Sequence, residues 1–173
     1  PPQPSFEVMI RWHNLSDTWQ QLQAESEEVF IAILDDHLAP MPGLLDLLAA
    51  LEAAGIPKAI GTSSARRLVD ACLSRLHLEP RFQFILSAQD ITRGKPDPEI
   101  YLKAAAKFGL PPEQVLVLED SQTGCRSASA AGAYTVAGPG EHSRQQNFEV
   151  ADLIVDTLAD PRLYEAIGLP KRG

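Results

Sequence analysis

Val115-Leu116-Val117-Leu118-Glu119-Asp120-Ser121 is the stretch from which the rest of the chain can be read. Four apolar residues run straight into two adjacent carboxylates, and a segment of small residues, 122–132, follows at once. A continuous apolar run bounded by turn chemistry predicts a strand buried on both faces of a parallel sheet. Open α/β sheets bind their ligands beyond the carboxyl ends of such strands. Buried carboxylates are costly unless paired or coordinated, which suits a hard cation. The same residues also read as a helix N-cap with a solvated acid. Taken alone, the stretch leaves both readings open.

Working outward, strands and helices alternate. Upstream, Asp97-Pro98-Glu99 starts a helix, with an N-cap aspartate, a proline in the first turn and a glutamate favoured by the helix dipole. That helix runs to Phe108 and stops at Gly109. Residues 56–61 and 82–86 predict strands. Between them a helix over 65–76 is expected to be capped by the hydroxyls of Thr62, Ser63 and Ser64. Before them, Pro42-Gly43 opens a helix over 44–54, closed by Gly55. Downstream come a helix over 122–131, a strand over 133–137, a loop to 147, a short strand over 153–155 and a helix over 161–167. Ser16 caps a helix beginning near Asp17, with a break expected near Glu25-Ser26, and residues 1–13 carry little signal. Alternation at these lengths means βαβ units with right-handed crossovers. The fold expected is a doubly wound α/β domain on a parallel sheet.

Composition narrows the functions. A chain of 173 residues with 45% hydrophobic side chains has material for one core. The formal charge of -8 argues against a nucleic-acid partner, whose binders carry basic patches. No apolar run approaches the length of a membrane span. The two cysteines, Cys72 and Cys125, form no disulfide or metal pattern, and a cytoplasmic location is expected.

Three polar clusters follow strands or sit in loops on one side of the sheet. Thr62-Ser63-Ser64 combines hydroxyls with helix N-terminal amides, an arrangement that suits a phosphate or serves as a plain cap. Arg93-Gly94-Lys95-Pro96-Asp97-Pro98 holds a lysine in a Gly/Pro-fixed turn, where it is either a solvated cation or a neutraliser of phosphoryl charge. Trans is the expected form of the Lys95-Pro96 peptide. Glu119-Asp120 is the third cluster, and Mg²⁺ takes one or two such carboxylates together with waters and substrate phosphate. Jointly they place an anion cradle, a cation and a metal site around one crevice. Arg66 and Arg67 lie near the cradle in sequence, where they contact substrate or stay on the helix surface.

The three clusters resemble the haloacid dehalogenase superfamily, in its β-phosphoglucomutase-like phosphatase branch. Thr62-Ser63-Ser64 is similar to the second family motif, Lys95 within Gly94-Lys95-Pro96-Asp97-Pro98 to the third, and Glu119-Asp120-Ser121 to the fourth. The helix start at Pro42-Gly43 and the turn at Gly132 match the branch's layout. The resemblance covers about residues 40–160. It implies a Rossmann-like core over 40–173, a partial helical cap over 1–39, and hydrolysis of a small phosphorylated metabolite through an aspartyl-phosphate, with Mg²⁺ as cofactor. It implies that Thr62 binds the phosphoryl group, with Ser63 and Ser64 beside it. Lys95 would balance charge, and Glu119 and Asp120 would ligate the metal. The superfamily's dehalogenases lack a metal, and the acid pair would repel their carboxylate substrates. The resemblance therefore favours a phosphatase.

One motif is absent. The family's first motif is a strand ending in Asp-x-Asp-Gly, with the nucleophile as its first aspartate, and no such sequence occurs here. Residues 31–36 end in Asp35-Asp36, but His37 stands two residues after Asp35 and no glycine follows. Asp35 is expected to be helical and structural. In the family the first strand is the centre of the sheet, between the strands that here end at Thr62 and Asp120. Its loss removes about four buried aliphatic residues at about 1.5–3 kcal/mol each, comparable to the whole stability of a domain. The expectation is that an upstream segment of the same protein completes the sheet, and that residues 1–173 alone are inactive. The competing readings are a non-catalytic pseudo-phosphatase that binds or regulates, and a phosphomutase.

Overall fold

The computed structural model describes residues 3–169. It begins with a helical hairpin, α1 (Gln3–His13) and α2 (Trp19–His37). α1 falls where the sequence offered little signal. α2 starts later than expected, with Thr18 rather than Ser16 as its cap. Thr18 Oγ1 accepts from Gln21 N at 3.3 Å while the Gln21 side chain accepts from Thr18 N at 2.8 Å, a reciprocal capping box. The helix runs unbroken through Glu25-Ser26 because its turns continue on either side without glycine or proline. Residues 31–36 are therefore helical, as expected, and Asp35 pairs with Arg75 at 2.5 Å. A second ion pair, Arg67 with Glu28 at 2.5 Å, also ties α2 to α4.

The remaining elements alternate: α3 (Leu44–Ala53), β1 (Ile60–Gly61), α4 (Arg66–Leu76), β2 (Ile85–Leu86), α5 (Glu99–Phe108), β3 (Leu116–Glu119), α6 (Gln122–Ala131), β4 (Tyr134–Ala137), β5 (Leu153–Ile154) and α7 (Pro161–Ile167). Every strand pairing is parallel. Helices cover both faces. Ile100 and Tyr101 of α5 pack with Val117, Ala128 and Ala131 on one side. Leu47 of α3 and Leu163 and Tyr164 of α7 pack with Val136 and Val155 on the other. Leu48 joins α3 to Leu73 of α4. This is the doubly wound, Rossmann-like α/β arrangement that the alternation implied. Among the described residues no helix is long and apolar enough to cross a membrane.

The strands form two ladders, β1-β2 and β3-β4-β5. Between β1 and β3 lies an apolar slot of about 480 Å³, lined among others by Leu44, Leu48, Ile60, Val117 and Leu118. The alternation of a parallel strand fixes what faces it. Ile60 N and Thr62 N donate toward β2, to Phe84 O at 3.2 Å and Leu86 O at 2.9 Å, so Gly61 turns its backbone to the slot. Val115 O and Glu119 O accept from Tyr134 N and Gly138 N, so Leu116 and Leu118 turn theirs to it from the other side. This explains a departure from the sequence reading. Leu118 is 39% exposed rather than buried, because among the described residues no strand lies along that edge of β3. β1 is likewise shorter than the expected 56–61, having one neighbour to pair with.

Candidate functional site

The carboxyl ends of β1 and β3 open on a cleft of about 690 Å³. Thr62, Lys95, Glu119 and Asp120 line it, drawn together from positions up to 58 residues apart in sequence, and Asp156 and Arg144 line its far wall. Ser63 and Ser64 continue the turn after Thr62 and are not among the lining residues. Their expected role as helix caps does not hold. Thr62 Oγ1 instead accepts from Ser64 N at 3.1 Å, closing a hydroxyl turn, and the N-cap of α4 is Ala65, with no side-chain hydrogen bond. The amide of Arg66, which opens α4, donates to Gln89 Oε1 at 3.0 Å. The Arg66 side chain pairs with Asp70 at 2.7 Å and that of Arg67 with Glu28, so both arginines lie in surface ion pairs.

Lys95 is carried by a loop that is pinned from several sides. The Glu99 carboxylate accepts from Thr92 N at 3.0 Å and Arg93 N at 2.8 Å and pairs with Lys103 at 2.6 Å. Lys103 and these backbone donors hold the Glu99 carboxyl down at about 2. Asp97 Oδ1 accepts from Glu99 N at 3.0 Å, and buried Ser127 on α6 donates to Asp97 O at 2.7 Å. The N-cap of α5 is Pro98 rather than the expected Asp97, which stands one residue earlier and accepts from the Glu99 amide that opens the helix. The Lys95-Pro96 peptide is cis, against the trans default. The Lys95 and Glu119 side chains are 11% and 7% exposed. Lys95 Nζ donates to Gly61 O at 3.3 Å and to Glu119 Oε1, and sits 5.0 Å from the centre of the Tyr101 ring.

Glu119 ends β3 with its carboxylate enclosed. Lys95 Nζ and the Tyr101 hydroxyl both donate to Oε1, while Ser121 Oγ lies 3.4 Å from Oε2. Ser121 also caps α6, accepting from Gly124 N at 3.1 Å. A Cβ on Gly124 would overlap the Glu119 carboxylate, so glycine is required by this close approach. Burial, with Glu119 alongside, pushes the Tyr101 phenol far above its ordinary value and keeps it a donor. Burial and the same carboxylate raise the Cys125 thiol to about 11, leaving it unreactive. Asp120 is exposed and makes no hydrogen bond or ion pair among the described residues.

These groups fit a hard divalent cation in their chemistry, because Glu119 and Asp120 offer only oxygen and are adjacent on the cleft wall. They fit it as a pair. Among the described residues no group of three or more His, Cys, Asp or Glu side chains converges to hold a metal. A cation here completes its coordination with water and ligand oxygens. Sequence reasoning passed over Tyr101, whose place on an amphipathic helix reads as core, and the 156–157 turn. Asp156 and Thr157 stand just past β5 and so obey the strand-end rule, but a two-residue strand is a faint signal.

A family model for haloacid dehalogenase-like hydrolases matches residues 8–132. It takes in most of α1 and all of α2, upstream of the 40–160 span that the motifs covered. The chain is 32% identical over 140 residues to the protein CbbY of Rhodobacter capsulatus, covering 79% of this chain and 62% of that one. It is 31% identical to a probable pseudouridine-5'-phosphatase of Drosophila melanogaster, covering 97% of this chain and 74% of the relative. A crystal structure of CbbY from Rhodobacter sphaeroides in complex with phosphate superposes with a TM-score of 0.79 at 29% identity, over 84% of this chain and 67% of that one. The chain thus spans about three fifths of the length of the CbbY relatives.

Proposed function

The chain belongs to the haloacid dehalogenase-like hydrolase family, and from that premise we propose that its cleft serves a Mg²⁺-dependent phosphatase acting on a small phosphorylated metabolite. The observation that carries the reading is the meeting of Thr62, Lys95, Glu119 and Asp120 at one cleft beyond two strand ends. Phosphoryl transfer needs positioning and charge neutralisation more than covalent chemistry from the protein, and these residue types supply both. Thr62 donates from its hydroxyl to a phosphoryl oxygen, with Ser63 and Ser64 shaping the turn that holds it. Lys95 spreads its charge between Glu119 and the transferring group. Glu119 and Asp120 hold Mg²⁺, which when bound offsets phosphoryl charge. Relatives named as a pseudouridine-5'-phosphatase and an FMN phosphatase support the substrate class.

The nucleophile in this reading is an aspartate brought by a segment outside residues 1–173, lying as a strand in the slot between β1 and β3. The phosphoryl group passes from the ester oxygen to that carboxylate and then to water, releasing the alcohol and inorganic phosphate. The slot supports the assignment, because strand edges face it from both sides and Lys95 waits at its mouth. Residues 1–39 then read as part of a cap and 40–173 as the core, in a cytoplasmic protein. Asp35 does not substitute for the nucleophile, since it lies on α2 and pairs with Arg75. That placement also favours a second reading, in which the chain is a non-catalytic phosphate-binding module.

Hydrolysis of p-nitrophenyl phosphate separates the two. We expect Mg²⁺-dependent turnover from a longer form that includes the missing strand, and none from residues 1–173. A longer form that binds phosphate without turnover would favour the binding module. Turnover by residues 1–173 alone would overturn the assignment of Asp35 as structural.

A further inference from the structure

Tyr101 occupies the first turn of α5, is buried, and lies with its ring beside the Lys95 ammonium. Its hydroxyl has one partner among the hydrogen bonds described, Oε1 of Glu119, and Lys95 Nζ donates to the same oxygen. An ionised carboxylate has about four acceptor sites over its two oxygens. Two donors converge on Oε1, whereas Oε2 has only the Ser121 hydroxyl at 3.4 Å, beyond ordinary O–H···O range. The carboxylate is thus held in one orientation, with Oε1 engaged by two donors and Oε2 laid against Gly124 of α6. A lysine alone is a compact charge with rotatable donors and leaves that orientation loose. A phenol on a packed ring does not.

We propose that Tyr101 is a positioning residue for the cation site. Its hydroxyl fixes Oε1 of Glu119 beside Lys95 and so sets the orientation in which the carboxylate stands next to Asp120 for a shared divalent cation. The inference rests on the metal reading given above and adds a residue to it that does not itself touch the cation. Groups that orient a metal ligand typically cost ten- to a hundredfold in affinity when removed.

Mn²⁺ binding to the full chain, followed by electron paramagnetic resonance of the free ion, tests it. Y101F keeps the ring and removes the donor, and should raise the Mn²⁺ dissociation constant about tenfold while the metal-free melting temperature stays close to wild type. In an E119Q background the same replacement should have no further effect, because Tyr101 acts through Glu119. Equal affinity in wild type and Y101F, or the same loss with and without Glu119, would overturn the proposal. Wild-type protein that binds no Mn²⁺ would overturn the metal reading and this inference with it. Should Y101F lose its fold, ¹⁹F resonances of 3-fluorotyrosine in the wild-type chain decide instead. The Tyr101 signal should move on adding Mg²⁺ while that of Tyr164 does not, and a static Tyr101 signal refutes the proposal.

Discussion

Gly124 shows how tightly single residues set this site. Its missing Cβ leaves room for the Glu119 carboxylate, which folds back over the first turn of α6. Gly124→Ala should therefore push the carboxylate off Lys95 and Tyr101 and cost about 1–3 kcal/mol, an overpacking penalty read from the urea midpoint. Most of that cost should vanish in an E119A background, where nothing remains to be displaced. Additive losses would place the strain elsewhere. Asp120→Asn should behave oppositely. The side chain is exposed and unpaired among the described residues, so melting should barely change while Mn²⁺ affinity falls. Residues of this kind were legible in the sequence because they are polar stops after apolar strands, as Thr62, Glu119 and Asp120 are, or sit in Gly/Pro-fixed loops, as Lys95 does. Tyr101 was not legible, since its spacing on α5 is that of any core aromatic and only the fold brings its hydroxyl to Glu119.

The loop over 92–99 is the element that aims Lys95, and Glu99 is what holds it. Because Lys103 and two backbone amides depress the Glu99 carboxyl from 4.5 to about 2, the folded state binds its proton less readily than the unfolded chain does. The contribution is fully present above about pH 4.5 and is lost as pH falls toward 2. Glu52, held at about 2 by Arg81 and Lys58, titrates over the same window. We expect thermal stability to drop between pH 4.5 and 2, with a shallower drop in E99Q and a remaining slope that E52Q reduces further. An unchanged slope in E99Q would mean that the loop is pinned by Asp97 and Ser127 instead. At this scale the sequence read best where punctuation is strong. α7 and α6 have the expected bounds, fixed by Asp160-Pro161 and by Ser121 with Gly132. It read worst where continuity depends on neighbours. α2 bridges Glu25-Ser26 because nothing there breaks a helix, and β1 shrinks because ladder bonds need a partner strand.

At the scale of the whole molecule, shared helices and the Lys95 side chain, rather than backbone ladder bonds, join the two ladders among the described residues. α5 contacts β1 through Gly61, whose absent Cβ would meet Ile100 and Tyr101 at 3.5–3.6 Å, and it packs on Val117 of β3 through the same cluster. The backbone groups of Gly61 and Leu118 face each other's strand across the slot, with only Gly61 O taken among the described residues, by Lys95, and strand edges of this kind are templates for another strand. Apolar walls suit the alternating side chains of an extended segment, and Lys95 at the carboxyl end suits one that finishes in an acid. Hydrogen exchange reads this directly. In residues 1–173 the amides of Gly61 and Leu118 should exchange quickly, while those of Ile60 and Thr62, bonded toward β2, stay protected. In a longer form whose first strand fills the slot, Gly61 and Leu118 should join the slow set and Ile60 should change little. Leu118→Lys puts a charge on the slot wall at a position already 39% exposed, so it should leave the shorter chain folded yet abolish that protection in the longer one. If Gly61 and Leu118 are protected equally in both forms, no strand enters between β1 and β3, and the nucleophile of the proposed phosphatase must reach the cleft by another route.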